Sequence, residues 1–338
     1  MIVQALKSIY RYLALALATV LLLMSCNQTA PTSETAPTSE ATKSGLKVAM
    51  LFPGSHEDES WSQSGYEGLK LIESEYNATI DYTEYVENEA SEAVIRGYAQ
   101  ADYDLIIAQS GGYITAAEVV AEEFPRHKFA LVTTYPGNNK NLGAVAFRSG
   151  EVGYLTGVLA AMKSRTKTVA YIVGNDYPVY QEEEALFRRG VEATDPEVKV
   201  LTSFLKTWTD AEKAKKIANE FLAEGADVFA INADEAGVAA LKMVTQKDDI
   251  DVIGWTKDQH ELAPGQVLTS VLQDIPNLIL NAATLMQEGR WEGKLYKFGL
   301  KEQIYDFAPF RDTLTPAEEA EFNAMRDRVI AGEIDITP

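Results

Sequence analysis

From Leu46 onward the chain alternates short apolar runs with longer amphipathic stretches, and nothing else in it constrains the fold as tightly. Leu46–Pro53 (LKVAMLFP) is an apolar run closed by Pro-Gly, which predicts a buried strand. Trp61–Tyr76 carries Tyr66, Leu69, Ile72 and Tyr76 at helical spacing. The same reading predicts strands at 79–84, 103–108, 128–133, 168–174, 199–204, 227–231 and 252–254. Helices are predicted between them at 90–101, 115–124, 150–162, 179–194, 210–224 and 235–244. Strands that alternate with helices imply parallel sheets covered on both faces, an α/β architecture. A chain of 338 residues exceeds what one core usually serves, and the units fall into two similar sets. The first set ends near Phe147 and the second near Trp255. The later segments 267–272, 276–288, 295–300 and 316–331 must then return to these lobes. The expected division is 46–147 plus about 257–294 for lobe 1, and 148–256 plus about 295–338 for lobe 2.

In doubly wound sheets ligands bind outside the carboxyl ends of the strands, so the residues just after each strand are the ones to read. After the first strand comes a loop ending at Trp61. After Ala108 come Gln109, Ser110, Gly111, Gly112 and Tyr113. Trp208 follows the strand ending near Leu205, with Asp210 placed to cap a helix. Asn232 and Asp234 follow Ile231, and Trp255, Thr256 and Asp258 follow Ile253. Three of the four tryptophans thus fall on predicted strand ends. Singly, each could pack a lobe edge; as a set they suit a planar heteroaromatic ligand, with stacking for affinity and hydrogen bonds for orientation. An aromatic cage for a cation, with Asp234 or Asp258 as counter-charge, fits the same residues.

Composition excludes other classes. With 30 Lys+Arg against 50 Asp+Glu the net charge is −20, which argues against nucleic acid as a partner and disfavours anionic ligands. A single cysteine and three histidines argue against a disulfide, a multi-cysteine cluster or a His-rich metal centre. No nucleophile elbow and no phosphate-cradling loop is present. His56 near Asp58 and His260 near Glu261 read as solvated loop residues. A binding protein without metal or cofactor explains this better than an enzyme.

The amino terminus reads as an address. Lys7 and Arg11 precede an apolar run from Tyr12 to Met24, too short for a confident membrane span. Leu23-Met24-Ser25-Cys26 resembles the lipobox of bacterial lipoproteins. The resemblance implies a signal peptide over 1–25 and a lipid on the Cys26 sulfur, against an ordinary signal peptide with an incidental cysteine. Residues 26–45, with APTSET followed by APTSEA, cannot bury a core and read as a linker. A lipid, a linker and a folded body describe a protein held at a membrane outside the cytoplasm.

Several segments of the body carry a family resemblance: EDESWSQSGYEGL (57–69), VAFRSGEVGYLTGVLAA (145–161), KTWTDAEKAKKIANEFLAEGADV (206–228), VIGWTKDQ (252–259) and VLTSVLQ (267–273). Together they resemble the basic membrane protein family, lipoprotein substrate-binding components of ABC transporters typified by purine-nucleoside-binding members. The resemblance implies a type I periplasmic-binding-protein fold: two doubly wound parallel-sheet lobes, three crossovers, and hinge closure on a small molecule. It also implies a monomer and a membrane permease as partner. The family's stacking aromatics fall on Trp61 and Trp208, and its base-reading positions on Ser62 and near Ser110. Its ribose-binding aspartate and lysine fall on Thr256 and Gln273, so both charges are replaced. Its Gly-rich turn after the fourth strand of lobe 2 carries Asn232 and Asp234. Arg148 and Glu151 read as structural or hinge residues, with permease docking as the alternative. The retained rings and lost charges predict a planar heterocycle without the usual ribose contacts, such as a purine base, a modified nucleoside or a flavin. A sensory lipoprotein using the same closure, and an adhesin, are the competing functions.

Overall fold

The computed structural model describes residues 45–58 and 61–337; the predicted signal peptide, Cys26 and the linker lie outside the described residues. The first sheet is built from β1 (Lys47–Leu51), β2 (Thr79–Thr83), β3 (Leu105–Ala108), β4 (Lys128–Val132), β5 (Leu142–Phe147) and β11 (Leu295–Phe298). Its order is β11-β5-β4-β3-β1-β2, and every pairing is parallel. The second sheet holds β6 (Thr168–Val173), β7 (Lys199–Phe204), β8 (Val228–Asn232), β9 (Asp251–Thr256), β10 (Val267–Gln273) and β12 (Tyr305–Phe307). Its order is β12-β10-β9-β8-β6-β7, with only β12 antiparallel. β3 (LIIA), β6 (TVAYIV) and β8 (VFAIN) are buried along their whole length, which is why they read as unbroken apolar runs. The edge strand β2 (TIDYT) keeps partly exposed, mixed side chains.

Helices cover both faces of each sheet. Helices α1 (Trp61–Tyr76), α2 (Ser91–Gln100) and α3 (Ile114–Glu123) belong to the first lobe. Helices α4 (Ser149–Lys163), α5 (Pro178–Thr194), α6 (Ala211–Ala223) and α7 (Asp234–Val244) belong to the second. Helix α8 (Ile275–Gln287) returns to the first lobe, where Leu278, Ile279 and Ala282 share a core with Leu69 and Ile72 of α1. Helix α9 (Pro316–Ile330) closes the second, where Phe322 and Val329 pack with Leu155 and Val158 of α4. Two lobes of α/β structure joined by three crossovers are therefore observed, as the family resemblance implied.

The exchange between lobes differs from the expected division. Val267–Gln273 pairs with β9 and so sits in the second sheet, not in lobe 1. Leu295–Phe298 pairs with β5 and so sits in the first sheet, not in lobe 2. Both are short apolar runs that suit either sheet, and only the partner strand decides between them. The chain therefore crosses between Phe147 and Ser149, between Gln273 and Ile275, and between Phe298 and Tyr305. Arg148 ties the first crossing to the third: it donates to the Lys297 carbonyl at 2.7 Å and pairs with Glu151 at 3.0 Å and Glu302 at 3.2 Å. Glu151 in turn accepts from the Leu300 amide at 2.7 Å.

Helix α4 is buried on all sides from Ser149 to Ala161, and its glycines explain how. A Cβ on Gly153 would lie 2.3 Å from the Glu183 carbonyl oxygen, and one on Gly157 would lie 2.0 Å from that of Phe187. From the other side, a Cβ on Gly190 would lie 2.0 Å from the Tyr154 carbonyl oxygen. The GEVGYLTG stretch is thus a seam along which α5 meets α4 backbone to backbone. Gly157→Ala should lower unfolding free energy by about 1–3 kcal/mol, the range for overpacking, read as a drop in the denaturant midpoint.

Candidate functional site

A cleft of about 900 Å³ opens between the carboxyl ends of the two sheets. The first lobe contributes Trp61, Glu67, Ser110 and Thr133; the second contributes Tyr177, Tyr180, Trp208, Asn232, Asp234, Glu235, Trp255, Thr256 and Lys257. Trp61 is the first residue of α1 and is locked there by a reciprocal pair. Its indole Nε1 donates to the Gln109 carbonyl at 3.1 Å, and the Gln109 side-chain amide donates to the Trp61 carbonyl at 2.7 Å. Gln109 is fully buried, and its Oε1 has no partner among the described residues.

Across the cleft, Trp208 is half-buried and meets Tyr180 edge-on, with centroids 5.3 Å apart at 68°. It lies directly over Gly174, where a Cβ would fall 2.1 Å from the indole ring. Gly174→Ala should therefore displace Trp208 and reduce ligand affinity by at least about fivefold, the low end for a lost stacking contact, with a shifted tryptophan emission in the free protein. The Trp208 carbonyl accepts from the Ala236 amide at 2.9 Å, which joins this loop to the start of α7. Asp210 caps α6 by accepting from the Lys213 amide at 2.9 Å, as its position predicted.

Asp234, the first residue of α7 just beyond β8, and Thr256, the last residue of β9, hold left-handed backbone with φ of +48° and +71° at the cleft. Partial burial raises the Asp234 carboxyl above its ordinary range; Glu235 and Asp58 add repulsion, and Lys257 opposes them. Trp255 is 2% exposed, packed on the core side of the second lobe with its end at the cleft, and its Nε1 has no partner among the described residues. The fourth tryptophan, Trp291, is in the first lobe's core, stacked on Tyr296.

Trp61, Ser110, Trp208, Asp234, Trp255 and Thr256 thus line one cleft, as does Gln273. Three expected residues do not. Ser62 is buried one position into α1 and accepts from the Gly54 amide at 3.1 Å, because successive helical residues face different ways. Tyr113 is fully buried in the first lobe's core, its hydroxyl donating to the Val86 carbonyl at 2.6 Å. Asp258 turns to Arg311; partial burial works against its charge, but Arg311 and the His260 amide hold its carboxyl below the ordinary range. It is therefore not available as a counter-charge, whereas Asp234 is. The sequence reading missed Tyr177 and Tyr180, which stand in the loop and helix after β6. Applying the strand-end rule to that strand as well would have found them. His56 pairs with Glu84 at 2.6 Å rather than with Asp58, a loop contact outside the cleft.

The geometry agrees with what the chain is similar to. Transcriptional activator protein med of Bacillus subtilis is 27% identical over 299 residues, covering 88% of this chain and 90% of that protein. A purine-binding protein of Brucella abortus is 26% identical over 298 residues, covering 86% of this chain and 82% of that protein. An ABC transporter solute-binding protein from Aeropyrum pernix has a related structure, with a TM-score of 0.67 at 21% identity over 86% of this chain and 92% of that one. That likeness speaks to the fold of two lobes around a cleft. The model of the Bmp family, described as ABC transporter substrate-binding protein PnrA-like, matches residues 46–337, and the chain belongs to this family.

Proposed function

We propose that the protein captures a planar heteroaromatic small molecule between its lobes and delivers it to an ABC permease as a lipid-anchored, extracytoplasmic receptor. The observation that carries this reading is that Trp61 from one lobe and Trp208 from the other line the same cleft. Flat rings on both sides supply stacking to any heterocycle, while Ser110, Asn232 and Thr256 supply polar contacts. The name of the Brucella abortus relative favours a purine. The loss of the family's two ribose-binding charges at Thr256 and Gln273 favours a purine base or another ring over an ordinary nucleoside. A monomer holds both lobes and so the whole cleft.

Titration of intrinsic tryptophan fluorescence with purine bases, nucleosides and flavins tests the reading. Saturable quenching by at least one planar ligand is expected; no quenching by any of them would refute stacking. Anchoring is tested separately: labelled palmitate should incorporate into the full chain expressed in bacteria and vanish in Cys26→Ala. A cationic ligand is the second reading. It is favoured by the lining charges, in which Glu67, Asp234 and Glu235 outnumber Lys257. The name of the Bacillus subtilis relative leaves signalling as an alternative output of the same closure.

A further inference from the structure

Glu183, on α5, is 1% exposed and forms no ion pair among the described residues. A carboxylate buried without a cation is costly, so its contacts must account for it. Both donors that reach it converge on one oxygen. The Asn232 side-chain nitrogen donates to Oε1 at 2.8 Å, and the Tyr171 hydroxyl donates to the same atom. Oε2 has no partner among the described residues.

A carboxamide has one donor end and one acceptor end, and whichever end is held inside decides which end faces out. Asn232 lines the cleft, and its nitrogen is held by Glu183. Its Oδ1 makes no hydrogen bond within the described residues. The reversed amide would set Oδ1 against an oxygen that already accepts from Tyr171. The geometry points to Glu183 as a positioning residue that fixes the Asn232 amide with its oxygen toward the cleft, so that the second lobe selects ligands offering an N–H or O–H donor. This deepens the reading of the cleft as a small-molecule site and rests on it. A ligand with no donor would leave Oδ1 desolvated and unpaired, which is what makes the selection effective.

The polar and titratable groups facing Glu183 are Tyr171 on β6, Asn232 on β8, Tyr180 and Glu182 on its own helix, and Tyr305 on β12, while α4 meets it at Gly153. Burial, with some repulsion from Glu182, pushes its carboxyl up to about 7, against the pull of Tyr171 and Asn232. Ionised, the group can only accept. Protonated, it gains an O–H that can satisfy a reversed amide, so donor selection should weaken below about pH 7.

Two measurements on the purified protein test this. In the first, the Asn232 side-chain NH₂ is followed by NMR, its signal identified by loss in Asn232→Ala. It should move together with the Glu183 carboxyl carbon as pH passes through 7, collapse to a solvent-like position in Glu183→Leu, and persist in Glu183→Gln. Identical signals in wild type and Glu183→Leu at pH 8 would overturn the positioning role; if the leucine variant does not fold, the wild-type titration decides it. In the second, adenine and its N6,N6,9-trimethyl analogue, both uncharged at pH 8 and the latter without an N–H, are titrated by tryptophan quenching. Adenine should bind at least about tenfold more tightly at pH 8, a preference lost in Glu183→Leu and kept in Glu183→Gln. Equal wild-type affinities would overturn donor selection. If neither compound quenches, the heterocycle reading fails while the NMR measurement still decides the role of Glu183.

Discussion

Trp208→Ala is expected to weaken binding of the best ligand from the quenching panel by about 1–3 kcal/mol, roughly 5- to 150-fold, with little change in melting temperature. The indole is half-buried, sits on a glycine rather than among aliphatic side chains, and touches Tyr180 by its edge. Its face is therefore free for a ligand, and its removal takes little from the lobe. Trp61→Ala should cost a similar amount of affinity and more stability. Its ring packs partly against the first lobe's core, and its indole nitrogen and carbonyl both bond to Gln109. Isothermal titration for affinity and a thermal melt for stability separate the two contributions. An unchanged affinity with a sharply lowered melting temperature in either variant would make that tryptophan a core residue and remove it from the site.

The double variant adds a geometric check. If one ligand is sandwiched, each ring stacks on a face held in place by the other lobe, so the losses should not add. Removing Trp208 leaves the ligand bound to an open first lobe, and removing Trp61 then costs less than it does in the intact cleft. Strict additivity would mean that the two rings contact different molecules or different parts of an extended one.

Most of the body was legible because its signals are periodic. Buried parallel strands such as β6 and β8 are apolar throughout, and α1 carries its core residues at helical spacing, so their bounds could be read closely. The failures have two causes: some strands carry no period or turn signal of their own, and partner choice is not written into a short segment. β12 has three residues, too few to show a period, and it is held only by its antiparallel pairing with β10. β5 (LGAVAF) merges into the glycine-rich start of α4 and carries no turn signal between them. The expected division puts Val267–Gln273 and Leu295–Phe298 with the wrong sheets, because the crossovers and not the residues sort them.

The site shows the same division. The rule that ligands sit at strand ends singled out Trp61, Trp208, Asp234 and Thr256 from position alone, and these line the cleft. It could not tell which way a side chain turns. Tyr113 lies one turn beyond a strand end yet faces inward, and Asp258 is taken by Arg311, which lies far along the sequence. In the sequence Glu183 stands between Glu182 and Glu184, a run that by itself suggests a charged, solvated helix face. The sequence offers no sign that one of three consecutive acids enters the core, since that depends on where the glycine seam of α4 sets α5 against β6 and β8.

That burial makes the largest stability prediction. The Glu183 carboxyl ordinarily titrates near 4.5 and is raised to about 7 in the fold, chiefly by burial. Below pH 4.5 the group is protonated in both folded and unfolded chains and contributes no pH dependence. Between 4.5 and about 7 the folded chain holds a proton that the unfolded chain releases, so the contribution to stability falls as pH rises. Above about 7 the folded group is ionised too, and the full cost, about 3 kcal/mol, remains. Glu183→Gln cannot ionise and keeps an oxygen for Tyr171 and Asn232. The difference in unfolding free energy between Glu183→Gln and wild type should therefore shift by about 3 kcal/mol in favour of the variant between pH 4.5 and pH 8. Comparing the two proteins at each pH cancels the contribution of the titrating groups that are not coupled to Glu183, Asp234 among them. Urea unfolding at four or five pH values measures it. A pH-independent difference would mean that Glu183 titrates in the fold as it does in the unfolded chain, which requires water or a cation at the carboxyl and would also remove the reason for the Asn232 amide to be fixed.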